Sequence, residues 1–176
     1  LATVSAQNAA VIPAWVKPGL TVTYDGVSAF VNPYGRFTQG IRVVMITRVN
    51  SVSDGRVSGV TQVQTVGSPI GGRHAWACNA AGNCTSDASG LSGKFWVDPD
   101  HATESIRGPN GEPFKVVGQG PYSYGGRSWN ATMLTYQNPD TGWQINATFD
   151  SKTGLILAYS ENSPSQQVHT YFRYGS

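Results

Sequence analysis

Asn138-Pro139-Asp140-Thr141-Gly142-Trp143-Gln144-Ile145-Asn146-Ala147-Thr148-Phe149-Asp150-Ser151-Lys152-Thr153-Gly154 carries one alternating segment between two turns of the same form. From Trp143 to Phe149, the apolar residues Trp143, Ile145, Ala147 and Phe149 alternate with Gln144, Asn146 and Thr148. A period of two sends these sets to opposite faces, so the segment reads as a half-buried β-strand. Both flanking turns follow the pattern (Asn/Asp)-x-x-Thr-Gly. The Asx side chain can accept from a backbone N–H two residues on. The glycine can take a positive φ, as the closing bulge of a longer hairpin requires. Pro139 presets φ where a type I turn needs it. Two such turns around one strand predict an up-and-down antiparallel meander.

Working outward, Trp129 to Gln137 reads as the preceding strand. Leu155 to Ser160 follows, with Leu155, Leu157 and Tyr159 facing one way, and then Val168 to Tyr174. Further back, Ile41 to Val49 is rich in β-branched residues, and 51–55 turns the chain toward a strand over Val57 to Val66. Gly59 is a bulge position in that strand. Leu20 to Tyr24 reads as a short strand ended by Asp25-Gly26, with Ala29 to Val31 extending it and Asn32 to Gly35 as a loop. One short helix is expected near 99–107: Asp98 can cap it, Pro99 suits its first position, and Gly108 can end it.

About seven to nine strands with frequent turns predict a mostly-β fold, an antiparallel meander forming a barrel or half-barrel. A Greek-key β-sandwich is the alternative. Residues 1–176 read as one β domain with 1–12 as a flexible N-terminal segment, and Ala77 to Gly93 reads as a mobile insertion.

Composition narrows the setting. The chain has 176 residues, a size at which roughly 70% of the unfolded surface can be buried. Charged residues make up only 12%, aromatics reach 11%, and the net charge is +2. That composition argues against disorder. The densest positive stretch, Arg36, Arg42, Arg48 and Arg56, is spread out rather than clustered, so neither a nucleic-acid reader nor an anionic-membrane binder is indicated. No run of about 20 apolar residues spans a bilayer. The small, polar start at Leu1 reads as a mature or trimmed chain. Cys78 and Cys84, separated by the turn-forming Asn79-Ala80-Ala81-Gly82-Asn83, predict a local disulfide and an oxidising compartment, secreted or periplasmic.

Four fragments together resemble a family of secreted bacterial β domains without assigned activity: Pro13-Ala14-Trp15-Val16-Lys17-Pro18-Gly19, Phe95-Trp96-Val97-Asp98-Pro99, Gly126-Arg127-Ser128-Trp129-Asn130-Ala131, and Phe149 to Leu157. The ending is also similar to the curled sheets of LolA-like and lipocalin-like proteins. That likeness implies a concave apolar face and transfers no catalytic residue.

Site chemistry is sparse. His74, His101 and His169 lack zinc-motif spacing, and no metal site or cofactor is expected. Asp98, Asp100, His101 and Glu104 form the best acid–base cluster, although Asp98 also serves as a cap. There is no Gly-x-Ser-x-Gly elbow, and the Gly67 to Arg73 loop lacks a P-loop lysine. The Asn-x-Ser/Thr sequons at Asn83, Asn130 and Asn146 matter only under host glycosylation. The leading expectation is an extracytoplasmic binding domain holding an apolar or amphipathic ligand, an apolar small molecule or lipid, on a concave sheet face. Its expected lining is Trp129, Met133, Trp143, Ile145, Phe149, Leu157 and Tyr159, from alternate positions of adjacent strands. Two alternatives accompany it. One is a surface or fibre subunit using the segment Val4, Ala6, Ala9, Val11 and Ile12 as a donor strand. The other is a small secreted hydrolase or isomerase.

Overall fold

The computed structural model describes residues 9–30, 40–68, 71–86, 94–108, 111–163 and 168–176. Ten strands form one sheet: β1 (Thr21–Phe30), β2 (Ile41–Ser53), β3 (Arg56–Thr65), β4 (Gly71–Asn79), β5 (Cys84–Ser86), β6 (Lys115–Tyr124), β7 (Arg127–Gln137), β8 (Gln144–Asp150), β9 (Ile156–Ser163) and β10 (Val168–Tyr174). Their spatial order is β5-β4-β3-β2-β1-β10-β9-β8-β7-β6, with every pairing antiparallel. The chain therefore starts mid-sheet, works outward to β5, crosses to the opposite edge at β6, and returns until β10 zips against β1. With β5 and β6 as free edges the sheet is open, so the meander stands as a curled half-barrel rather than a closed barrel or a sandwich.

The two Asx turns form as their sequence dictates. Gly142 N–H donates to Asn138 O at 2.9 Å, and Asn138 Oδ1 accepts from the Asp140 and Thr141 N–H groups. Asp150 repeats the pattern with Lys152, Thr153 and Gly154. Gly142 and Gly154 take φ of 70° and 76°. The alternation of β8 also stands: Ile145, Ala147 and Phe149 are buried in one cluster, with Trp143 packed against it.

The connection between the two edges makes the core. Residues 94–108 and 111–114 cross the concave face. Over the first half of the sheet Phe95 and Trp96 pack with Trp76, Val22, Tyr24, Met45 and Val49. Over the second half Val97, Ala102, Ile106 and Phe114 pack with Leu134, Tyr136, Ile145 and Phe149. Backbone hydrogen bonds register this segment on the β8–β9 turn: Val97 N–H to Gly154 O at 2.8 Å and Ile156 N–H to Phe95 O at 2.9 Å.

Several local expectations are corrected. Asp25-Gly26 does not turn the chain. β1 runs through it, because Gly26 is paired on both sides, with Val43 and Phe172. The turn after β2 narrows to Asp54-Gly55, whose φ of 50° and 69° suit a two-residue hairpin. The bulge lies on β2 between Val49 and Ser51, not at Gly59. Gly59 instead makes room, since a Cβ there would strike the Trp76 ring and Arg48 O. The expected helix is a shorter 3₁₀ helix, Pro99–Glu104, with Asp98 as its cap and a non-helical His101 inside. Ala77 to Asn79 belong to β4 and Cys84 to Ser86 to β5, so the described part of the expected insertion is a hairpin. Cys78 and Cys84 are directly paired across it and form the disulfide. The Asn32 to Gly35 loop lies outside the described residues.

Candidate functional site

The register divides the seven residues expected to share one face. Ile145, Phe149 and Leu157 are 5%, 1% and 0% exposed. Ile145 and Phe149 lie in the cluster beneath the crossover's Val97, Ile106 and Phe114, so the protein fills much of its own concavity. Trp129 and Met133 fall in the opposite phase of β7 from the inward Leu134 and Tyr136. That corrects the single-face expectation. Met133 is 43% exposed, and Trp129 packs on the Tyr122 and Tyr174 rings.

Trp143 and Tyr159 remain inward and half-buried. Tyr159 packs against both core clusters, and Trp143 against the second. Between them stands Glu161, whose backbone pairs with Ile145 and which therefore shares its inward face. Trp143 Nε1 donates to Glu161 Oε1 at 3.0 Å, and the Tyr159 hydroxyl donates to Oε2 at 3.3 Å. Burial, reinforced by the Glu161 carboxylate, pushes the Tyr159 hydroxyl well above its ordinary pKa, so it stays a donor. Two residues farther along β9, Ser163 is fully buried, and its Oγ has no hydrogen-bond partner among the described residues. Glu161 and Ser163 were missed by sequence reasoning. The available signal was phase: Tyr159, Glu161 and Ser163 continue an inward row whose apolar pattern stops at the carboxylate.

The Asp98 cluster is assembled differently. Asp98 Oδ2 accepts from Val11 N–H at 2.8 Å and lies 3.0 Å from His101 Nδ1, while Oδ1 accepts from Asp100 N–H. Burial alone would raise this carboxyl. The Val11, His101 and Asp100 hydrogen bonds and the His101 charge outweigh it, so the net pKa is lowered. Asp100 and Glu104 are exposed, and Asp100 joins these bonds only through its backbone N–H. Ser105 is fully buried and engaged with Asp98 N–H and Ala102 O. The pair thus latches the segment carrying Val11 to the 3₁₀ helix. No group of three or more His, Cys, Asp or Glu capable of holding a metal occurs among the described residues.

Lys94 is a second buried charge. Its ammonium donates to Ser105 O and lies 5.2 Å from the Trp96 ring centroid. Burial, with a contribution from Arg107, lowers its pKa to about 7. An open groove of about 660 Å³ flanks the β3–β4 hairpin, lined by Gln62 to Thr65, Ser68 and Gly71 to Arg73; Arg73 is the one charged residue among them. His74 pairs with Thr61 and packs its ring against Gly72. His169 pairs with Ala29 and Asn162 in the ladder. Asn83, Asn130 and Asn146 are exposed.

No family model matches the chain, and no curated protein matches it. Among solved structures, it is similar to a candidate exported protein with a YMCC-like fold from Bacteroides fragilis. That match has 11% identity and a TM-score of 0.45, covering 94% of this chain and 97% of the other. A DUF1329 family protein from Desulfovibrio piger matches at 8% identity and a TM-score of 0.29, covering 90% and 85%. Both TM-scores lie below 0.5, and neither likeness bears on activity.

Proposed function

We propose that this protein is an extracytoplasmic, non-catalytic binding domain that holds an amphipathic small molecule at the end of its concave face, against Trp143 and Tyr159. The observation that carries this reading is the contrast within one face. Ile145 and Phe149 are buried under the crossover, whereas Trp143 and Tyr159 are only half-buried. Half-exposed aromatics beside a few polar groups are the usual lining of a small-molecule site. The disulfide supports an oxidising compartment. A catalytic reading finds less support, because the Asp98 oxygens are already engaged by backbone and His101 donors.

Assembly by strand addition also fits less well. β6 offers a ten-residue edge with Val116 and Val117 exposed, but Pro121 removes a donor and a bulge interrupts its register. The first test is native mass spectrometry of freshly isolated protein. A co-purified small molecule, lost in Trp143→Ala and Tyr159→Ala variants, is expected. Wild-type protein that carries nothing and takes up no long-chain amphiphile would overturn the reading, and a concentration-dependent oligomer would favour strand addition.

A further inference from the structure

Glu161 is an anion in an unusual setting. It is half-buried on the inward face of β9, and its two oxygens accept from the Trp143 indole and the Tyr159 hydroxyl, both neutral. Among the described residues Arg42–Asp25 and His101–Asp98 form ion pairs, and Glu161 belongs to neither. A carboxylate offers about four lone-pair sites, and two are used here. A partly desolvated charge supported only by neutral dipoles gains most from a cation, because Coulomb attraction strengthens as water is excluded.

Its neighbours select in the same direction. Indole and phenol faces attract cations and repel anions. Ser163 adds an acceptor on the same face, about 7 Å along the strand at two residues' rise, fully buried and with its Oγ unpartnered among the described residues. We infer that the ligand of this site is a cationic amphiphile, a primary ammonium on an apolar chain, with the ammonium on Glu161 and the chain against Trp143 and Tyr159. This rests on the binding reading above and adds the charge of the ligand's polar end.

The physical alternative is a purely structural clamp, in which Glu161 only ties Trp143 to Tyr159. A charge-selective experiment separates the two. Isothermal titration at pH 7 and low salt would compare decylamine, decanol and decanoate, each below its micellar concentration. Decylamine is expected to bind at least about ten-fold tighter than decanol, a difference near 1.4 kcal/mol, with decanoate weakest and the amine preference falling as salt rises. Glu161→Gln keeps the side-chain length and one carbonyl acceptor, and it should erase the amine preference. Glu161→Asp, which keeps the charge, should retain part of it.

Equal binding of decylamine and decanol would overturn the inference while leaving an amphiphile site in place. Failure of all three probes would overturn the binding reading itself. If Glu161→Gln lowers the melting temperature and the wild type shows no preference for the amine, the clamp is the right description. The wild-type comparison needs no variant, so a poorly folded mutant cannot hide the answer.

Discussion

The same crossover segment is held to the two halves of the sheet by different means. Over β1–β4 it inserts rings: Phe95 and Trp96 lie 5.1 Å apart, Trp76 contacts both, and Trp15 reaches Phe95 at 5.9 Å. Over β6–β9 it inserts mostly aliphatic side chains and is pinned by backbone hydrogen bonds to the Asp150–Gly154 turn. One side is therefore fitted by shape and the other by register. Ring packing tolerates small slides but not missing volume, whereas a backbone ladder tolerates missing volume but not an added Cβ. Tyr24 bridges the halves by donating to Ile156 O at 2.8 Å.

The largest expected break is on the ring side. Trp96→Ala removes a fully buried ring, which should cost about 3–5 kcal/mol. Urea unfolding checks this, and a cost below 1 kcal/mol would mean the ring stack does not hold the first half.

Lys94, next to that stack, gives the comparison a pH dependence. Its folded pKa is about 7 against an ordinary value of 10.5. Between those values the unfolded chain binds more protons than the folded one, so stability rises as pH increases through the window. It rises by at most about 1.4 kcal/mol per pH unit from this group. Lys94→Met should flatten the slope of unfolding free energy between pH 7 and 10. An unchanged slope would assign it to other groups.

The disulfide belongs to the first half alone. Opening its six-residue separation in a Cys78→Ala/Cys84→Ala variant should cost about 2 kcal/mol. Hydrogen exchange should quicken at β4–β5 and stay unchanged at β8–β9. Exchange spreading to both halves would show a stronger coupling than the packing implies.

The smallest and sharpest contrast lies between two glycines of the same motif. Gly142 and Gly154 both have positive φ, so alanine at either costs on the order of 1 kcal/mol from backbone strain. At Gly154 a Cβ would also strike Val97 O. Thermal melts should show Gly154→Ala to be the more damaging by about 1–2 kcal/mol. Equal losses would mean that the crossover is not seated on the turn as described.

These contrasts also mark how far local sequence reaches. The β8 alternation and both Asx turns were legible because each is decided within a few residues. Phe95-Trp96-Val97 was not legible as the core-maker. An unbroken apolar run has no period, and nothing local says which surface it will cover. Asp25-Gly26 is a good local turn signal that lost to pairing with β2 and β10. Glu161 was hidden for a related reason: one carboxylate in an inward row looks like a strand's polar fringe until its opposite neighbour, Ile145, is known.

The chain's own letters settled the class, the meander, the turn chemistry and the short disulfide loop, since propensity, period and loop closure act over short spans. Only tertiary structure decided that β1 and β10 join the halves, that the crossover's Phe95, Trp96, Val97 and Ile106 pack into both clusters, and that Glu161 sits between two aromatics. Those outcomes depend on contacts between residues far apart in sequence. Their energies arise from burial and register, which no short window of sequence contains.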